Sequence, residues 1–153
     1  MSTIKVDTYL TRGGASEIAI DKLKGVSSAS SISVVAEGGS TTTNLQQGLA
    51  KCWLLVAADG ASILDSLNVS SHDDDGTGDG GVHINNDMGS VNYVIQLTAD
   101  DGGAGSSVNS IEVTNGTVAA GSFDYENNYV NSASDNRTAF NVIRHIAVLG
   151  DLA

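Results

Sequence analysis

One short run of the sequence concentrates carboxylates and glycines at a spacing that suggests metal chemistry. After His72 it reads Asp73-Asp74-Asp75-Gly76-Thr77-Gly78-Asp79-Gly80-Gly81. Clustered carboxylate oxygens are typical ligands of Ca²⁺ and Mg²⁺. An EF-hand loop needs a bidentate Glu at its twelfth position, which counted from Asp73 is Ile84, so that motif is absent. Two interpretations remain: a solvated hairpin turn, which we favour, and a looser Ca²⁺ or Mg²⁺ site between Asp73 and Asp79.

The other residue types that perform catalysis follow no known arrangement. The single cysteine, Cys52, lies in the apolar run 52–58, where a thiol usually serves as inert packing. No G-x-S-x-G motif occurs. The three histidines, His72, His83 and His145, follow no triad or metal-ligand spacing. We therefore predict that the protein is not an enzyme and has no catalytic residues, no cofactor-binding residues and no metal ligands outside the acidic run.

Carbohydrate recognition or cleavage would need an aromatic platform beside paired carboxylates. Aromatic residues are only 5% of the 153 residues. Tyr125 and Tyr129 lie in an Asn-rich stretch and are the two residues that would form a small exposed stacking patch. Ordinary packing at a strand edge is the alternative interpretation, and we favour it.

Charge is distributed very unevenly along the chain. The formal net charge is −11, and residues 52–136 contain thirteen acidic residues and no Lys or Arg. Such a field repels phosphate backbones and anionic lipid surfaces, so we expect neither nucleic-acid binding nor membrane insertion. The longest apolar run has seven residues, and the first residues contain no apolar core of a secretory signal.

Proline is absent, Gly occurs 18 times, and short apolar alternations recur between turn residues, which predicts an all-β fold. We assign residues 1–26 to an N-terminal β arm for anchoring or oligomerisation and 27–44 to a Ser/Thr/Gly-rich linker containing one short strand. Residues 45–153 are predicted to form an antiparallel, jelly-roll-like β-sandwich. Its expected strands include 52–56, which is apolar on both faces, one spanning Ile63 to Val69, a weak one at 118–125 and a long one at 138–149.

Several motifs occur in the same order as in a structural module of tailed bacteriophages. Lys51-Cys52-Trp53 is similar to the K-A-W of that module, and the segment Ile63-Leu64-Asp65-Ser66-Leu67-Asn68-Val69-Ser70-Ser71 contains a likeness of D-S-F-N-V-S-S. The further matches are Asp74-Asp75-Gly76-Thr77-Gly78-Asp79, Ser90-Val91-Asn92-Tyr93 and Ile146-Ala147-Val148-Leu149-Gly150-Asp151-Leu152-Ala153. The N-terminal Ser2-Thr3-Ile4-Lys5-Val6-Asp7-Thr8 and Thr11-Arg12-Gly13-Gly14 resemble the start of short tail-fibre-like proteins of marine phages. Two departures stand out: Gly80 and Gly81 replace an aromatic residue, and His72 replaces an aliphatic one.

This resemblance implies a virion structural protein, without catalytic residues, in a family whose members are often trimeric. We expect a homotrimeric, short tail-fibre-like appendage on the virion surface, made in the host cytoplasm and attached by residues 1–26 to other virion proteins of the tail, portal region or capsid. Its β-domain would present the loops 73–81 and 123–136 for host-surface binding, for example to a cell-surface glycan. Two alternatives stay open: a capsid decoration or cement protein that stabilises the head, and a glycan-binding or depolymerising protein.

Overall fold

A computed structural model describes residues 21–23, 32–35, 39–101, 108–130 and 137–153. Within these described ranges the chain forms one helical turn, α1 (Leu45–Gly48), and all other regular elements are β-strands. The strands are β1 (Ser33–Val35), β2 (Thr42–Asn44), β3 (Ala50–Val56), β4 (Ile63–Leu67), β5 (Val69–Gly76), β6 (Asp79–Ile84), β7 (Val94–Ala99), β8 (Val108–Val113), β9 (Ser122–Val130), β10 (Arg137–Ala139) and β11 (Arg144–Leu149).

Two antiparallel sheets build the body of the protein. Sheet I has the order β4-β3-β11-β7. In sheet II, β9 is the central strand. One of its edges pairs with β8. Its other edge pairs first with β6 and then, towards the C-terminal end of β9, with β10. Strand β5 pairs with the far edge of β6. A separate two-stranded ribbon joins β1 to β2, with Val34 opposite Thr43. The predicted all-β antiparallel sandwich is therefore confirmed.

The core lies between the inward faces of the two sheets. Strand alternation sends every second side chain inward, and this is where the apolar residues concentrate. Sheet I contributes Cys52, Leu54, Val56, Ile146 and Val148, and sheet II contributes Val82, Ile84, Phe123 and Tyr125, with Met88 beside them. Strand β3 is an interior strand of its sheet, as its two-sided apolar pattern predicts.

A corner made by one residue carries the chain from sheet I to sheet II. Asn68 separates β4 from β5 and has a φ of 57°, the left-handed region that Asn tolerates better than most residues. Its side-chain amide donates to the carbonyls of Lys51 (2.9 Å) and Asn86 (3.1 Å). Its side-chain oxygen accepts from the backbone N–H of Asn86 at 2.8 Å. Asn68 thereby ties β3 of sheet I to the segment that follows β6 of sheet II.

The strand boundaries differ from the sequence prediction in three places. The single strand expected from Ile63 to Val69 is two strands in different sheets, because Asn68 turns the chain. The weak strand expected at 118–125 is β9, the longest strand and the centre of sheet II. The long strand expected at 138–149 is divided into β10 and β11, and Arg144 begins the second.

The N-terminal assignments fall mostly on residues outside the described ranges. Of the predicted arm 1–26, residues 21–23 alone are described, so the arm and its anchoring role stay predictions. The short strand expected within the linker is present as β1. Asn44, near the predicted boundary, is the N-cap of α1, and its side-chain oxygen accepts from the N–H of Gln47 at 2.8 Å.

The Asn68 corner predicts a specific pattern of stability changes. Asn68→Ala removes the side-chain hydrogen bonds and places a Cβ-bearing residue without a compensating polar group at positive φ, so the free energy of unfolding should fall by about 2–4 kcal/mol. Asn68→Gly removes the same bonds without the strain and should recover about 1 kcal/mol of that loss. Denaturant unfolding followed by Trp53 fluorescence measures both.

The exposed turn residue Asn115 offers a matched control, since Asn115→Ala deletes the same side chain far from any sheet crossing. Its unfolding free energy should stay within about 0.5 kcal/mol of wild type. Equal losses in the Asn68 and Asn115 variants would show that the corner has no special role.

Candidate functional site

The outward face of sheet I is unusually apolar for an exposed sheet. Register places Leu67, Trp53 and Ala147 side by side across β4, β3 and β11, with Leu55 in the next row. Leu149 lies opposite Val94 on β7. Leu67 is 49% exposed and Val94 59% exposed. We call this set the apolar face; it comprises Trp53, Leu55, Leu67, Val94, Ala147 and Leu149.

Very little charge interrupts the apolar face. Among the outward side chains of the four strands of sheet I, Asp65 is the one carboxylate, and Lys51 and His145 are the further titratable groups. Lys51 lies at the end of β3, is largely buried and donates to the carbonyl of Leu49 at 2.7 Å. The ring nitrogen Nε2 of His145 lies 3.3 Å from Oδ1 of Asp100, at the end of the sheet. In a chain of net charge −11, a large face with so few acids can contact an identical copy without strong repulsion.

The outward face of sheet II has the opposite character. The register aligns Asp79, Glu126 and Glu112 across β6, β9 and β8. The guanidinium of Arg137 pairs with Glu112 and lies 3.7 Å from Glu126, so it offsets part of this charge. Partial burial, together with the charges of Glu126 and Asp75, raises the pKa of Asp79. We call this the acidic face.

The acidic run forms a β-hairpin, the interpretation favoured from the sequence. Strands β5 and β6 pair along it, and Gly76 and Gly78 at the turn both have positive φ. Asp74 accepts from the N–H of Gly76 at 3.2 Å, whereas Asp73 lies 2.7 Å from the ring of His83. Within the described ranges no three His, Cys, Asp or Glu side chains converge as metal ligands. A Ca²⁺ or Mg²⁺ ion between Asp73 and Asp79 stays a prediction.

The exposed tyrosine patch, the alternative that the sequence did not favour, is wrong: both rings are packed, although on a central strand and not at a strand edge. Tyr125 is fully buried on the inward face of β9. Tyr129 packs edge-on against Phe140, with ring centroids 5.5 Å apart. The expected surface loop 123–136 is likewise wrong up to residue 130, because β9 occupies that stretch, and residues 131–136 lie outside the described ranges.

The cysteine belongs to the core. Cys52 is buried between the sheets, and burial raises the pKa of its thiol to about 11. At neutral pH the thiol is therefore protonated and is a poor nucleophile. This agrees with the packing role that its position in an apolar run suggests.

A polar cluster that sequence reasoning missed lies at one end of the core. Arg144, the first residue of β11, is 0% exposed, and the ring of Tyr125 lies beneath its guanidinium at 5.6 Å. The hydroxyl of Tyr125 is 2.8 Å from Nε2 of His72. Asn127 and Asn141 complete the cluster: Nη2 of Arg144 donates to Oδ1 of Asn141 at 2.6 Å, and Nδ2 of Asn127 donates to the carbonyl of Phe140 at 2.7 Å.

Close backbone packing holds this cluster together. A Cβ on Gly80 would lie 2.7 Å from Nε2 of His72 and 2.9 Å from the hydroxyl of Tyr125. A glycine is therefore needed where β6 passes between these rings. The sequence did contain a signal for Arg144. Ile146 and Val148 alternate along β11 on the buried face, and the same alternation continued two residues towards the N-terminus places Arg144 on that face.

Comparison with known proteins gives no match to any protein-family model, curated protein or solved structure. In the described part of the chain, no helix has both the length and the apolar character needed to cross a bilayer. The features that bear on function are therefore the two outward faces, the buried cluster and the motifs of the sequence.

The buried histidine predicts how stability depends on pH. Burial, and next the positive charge of Arg144, lower the pKa of His72, although Asp73 and Asp74 partly oppose this. The unfolded chain then binds a proton at His72 more readily than the folded chain does. The contribution of neutral, buried His72 to the free energy of unfolding should be fully present above pH 6.5, which is about the pKa of histidine in the unfolded chain. It should be lost progressively as the pH falls below that value.

Urea unfolding of wild type and His72→Gln between pH 7.5 and 5.5 measures this effect. The decrease in unfolding free energy across that range should be smaller in His72→Gln. Asn115→Ala, at an exposed turn residue with no titratable side chain, serves as the control and should retain the wild-type slope. Parallel curves for wild type and His72→Gln would contradict the assignment.

Proposed function

We propose that this chain is a bacteriophage virion structural protein, a short tail-fibre-like surface appendage that works as a homotrimer. The observation that carries the proposal is the contrast between the two outward faces of the sandwich. The apolar face suits permanent contact with identical copies, and the acidic face suits exposure to water. The order of phage-like motifs in the sequence supports the same class of protein.

Burial of the apolar face would supply the free energy of assembly. Complete burial of a Leu or Val side chain contributes about 1.5–3 kcal/mol, and Leu67 and Val94 are each about half exposed in the isolated chain. Trp53 lies at the centre of the face, next to Leu67 and Ala147. A central aromatic residue surrounded by aliphatic ones is the usual composition of an interface core.

The acidic face would then point away from the threefold axis. Asp79, Glu126 and Glu112 would lie on the exterior of the trimer, where water and counter-ions screen them. An appendage of this kind acts by binding, and three weak sites on one trimer bind a surface together through their effective concentration. No covalent chemistry is required of any residue in the polar cluster or the hairpin.

The first test is the mass of the assembly in solution. Light scattering should give three times the chain mass of 15.6 kDa. Leu67→Glu places three carboxylates in the proposed interface and should give the single-chain mass. Val34→Glu is the control. It introduces the same charge on β1, at a side chain that is 47% exposed, compared with 49% for Leu67, and this variant should remain trimeric. A wild-type monomer at micromolar concentration would rule out the trimer.

The second test is the position of the protein on the particle. Electron microscopy of labelled virions should place it on the tail. A chain lacking residues 1–26 should keep the circular dichroism of the β-domain but should no longer appear on particles. Density on the capsid lattice would instead support a decoration protein. Loss of folding on truncation would show that residues 1–26 belong to the core and not to a separate arm.

A further inference from the structure

The buried cluster contains a positive charge that no described carboxylate neutralises. Arg144 is completely buried, yet no described Asp or Glu side chain lies within ion-pair distance of its guanidinium. Removing a guanidinium from water is costly unless a negative charge and hydrogen-bond acceptors replace the lost solvent. In this fold the groups around it are neutral: Oδ1 of Asn141, the carbonyl of Phe140 at 3.4 Å, and Tyr125, whose ring lies beneath the guanidinium and whose hydroxyl also interacts with it.

The contacts with Asn141 and Phe140 both use the same nitrogen, Nη2. The other two nitrogens, Nε and Nη1, are buried and have no hydrogen-bond partner among the described residues. Oδ1 of Asn141 is also occupied by the N–H of Gly78 at 2.7 Å, so it cannot turn toward the free nitrogens without losing that bond. Three N–H groups of a buried cation are thus left without acceptors.

The nearest acids do not act as the missing counter-ion. Asp79 on β6 is within electrostatic range of Arg144, but its outward neighbours Glu126 and Asp75 outweigh that attraction. On β5, Asp73 is directed to His83 and Asp74 to the N–H of Gly76. The β5–β6 hairpin therefore supplies a negative field around the cluster and no direct ligand to the guanidinium.

We infer that Nε and Nη1 of Arg144 form a site for one small monovalent anion of the halide class, enclosed between the two sheets. An anion supplies both things that the guanidinium lacks: acceptor capacity for its free N–H groups and a compensating negative charge. Because Arg144, Tyr125 and Asn127 are all completely buried, a single-atom ion, which needs the least room, fits the proposal better than a carboxylate or phosphate. The bound ion would join the end of β11 to the turn of the β5–β6 hairpin and thereby stabilise the sandwich.

Bromide provides the direct test, because it replaces chloride and can be located by anomalous scattering. Crystals of the full chain soaked in sodium bromide should show an anomalous peak in contact with Nε and Nη1 of Arg144. Density for water at that position, without an anomalous signal, would overturn the proposal. Bromide peaks confined to the surface would have the same consequence.

Thermal unfolding at constant ionic strength supplies an independent measurement. As chloride replaces gluconate, the wild-type Tm should rise by about 3–5 °C for each tenfold increase in chloride above the Kd. Arg144→Met should lose this dependence, whereas Arg137→Met, which removes a surface arginine, should retain it. Equal Tm values in chloride and gluconate would overturn the proposal, and if Arg144→Met does not fold, the bromide experiment decides.

Discussion

The sandwich depends on the single-residue corner at Asn68. A strand leaving one sheet can enter the facing sheet directly only if the backbone turns sharply, and a positive φ makes that turn within one residue. The positive φ is energetically unfavourable for a residue with a Cβ. The hydrogen bonds of the Asn68 side chain to Lys51 and Asn86 offset this strain. These bonds join β3 of sheet I to the segment after β6 of sheet II at the point where the chain passes between the sheets.

Apolar alternation predicted the interior better than it predicted the strand boundaries. The apolar pattern reports which side chains are buried, and at β3 the two-sided apolar run correctly indicated an interior strand. It failed at Asn68 because the apolar pattern continues across the corner from Leu67 to Val69 while the sheet changes. It also underrated β9, whose outward residues Asp124 and Glu126 and inward Asn127 dilute the apolar signal of a central strand.

The polar cluster shows what residue type alone could not reveal. His72 and Arg144 are far apart in the sequence, and each looks like a surface residue when judged by type alone. Only the pairing of β5 with β6, β6 with β9 and β11 with β3 directs both toward Tyr125. Residues 123–130 were misplaced for the same reason: an Asn-rich neighbourhood suggested a loop, whereas β9 carries those asparagines on a paired strand. Buried polar groups of this kind are expensive, and they are retained when they specify a structure or hold a ligand.

The different chemistry of the two outward faces also limits what the proposed assembly could become. If both faces were apolar, copies could stack through each of them without end, as open heterologous contacts do. The acidic face prevents this, because the aligned Asp79, Glu126 and Glu112 of one copy would meet those of the next at short range. Growth through sheet II is therefore unfavourable, and the proposed association through sheet I alone would close after a few copies. In the trimer that we propose, a threefold axis would satisfy both faces at once, with each apolar face directed inward and the acids on the exterior.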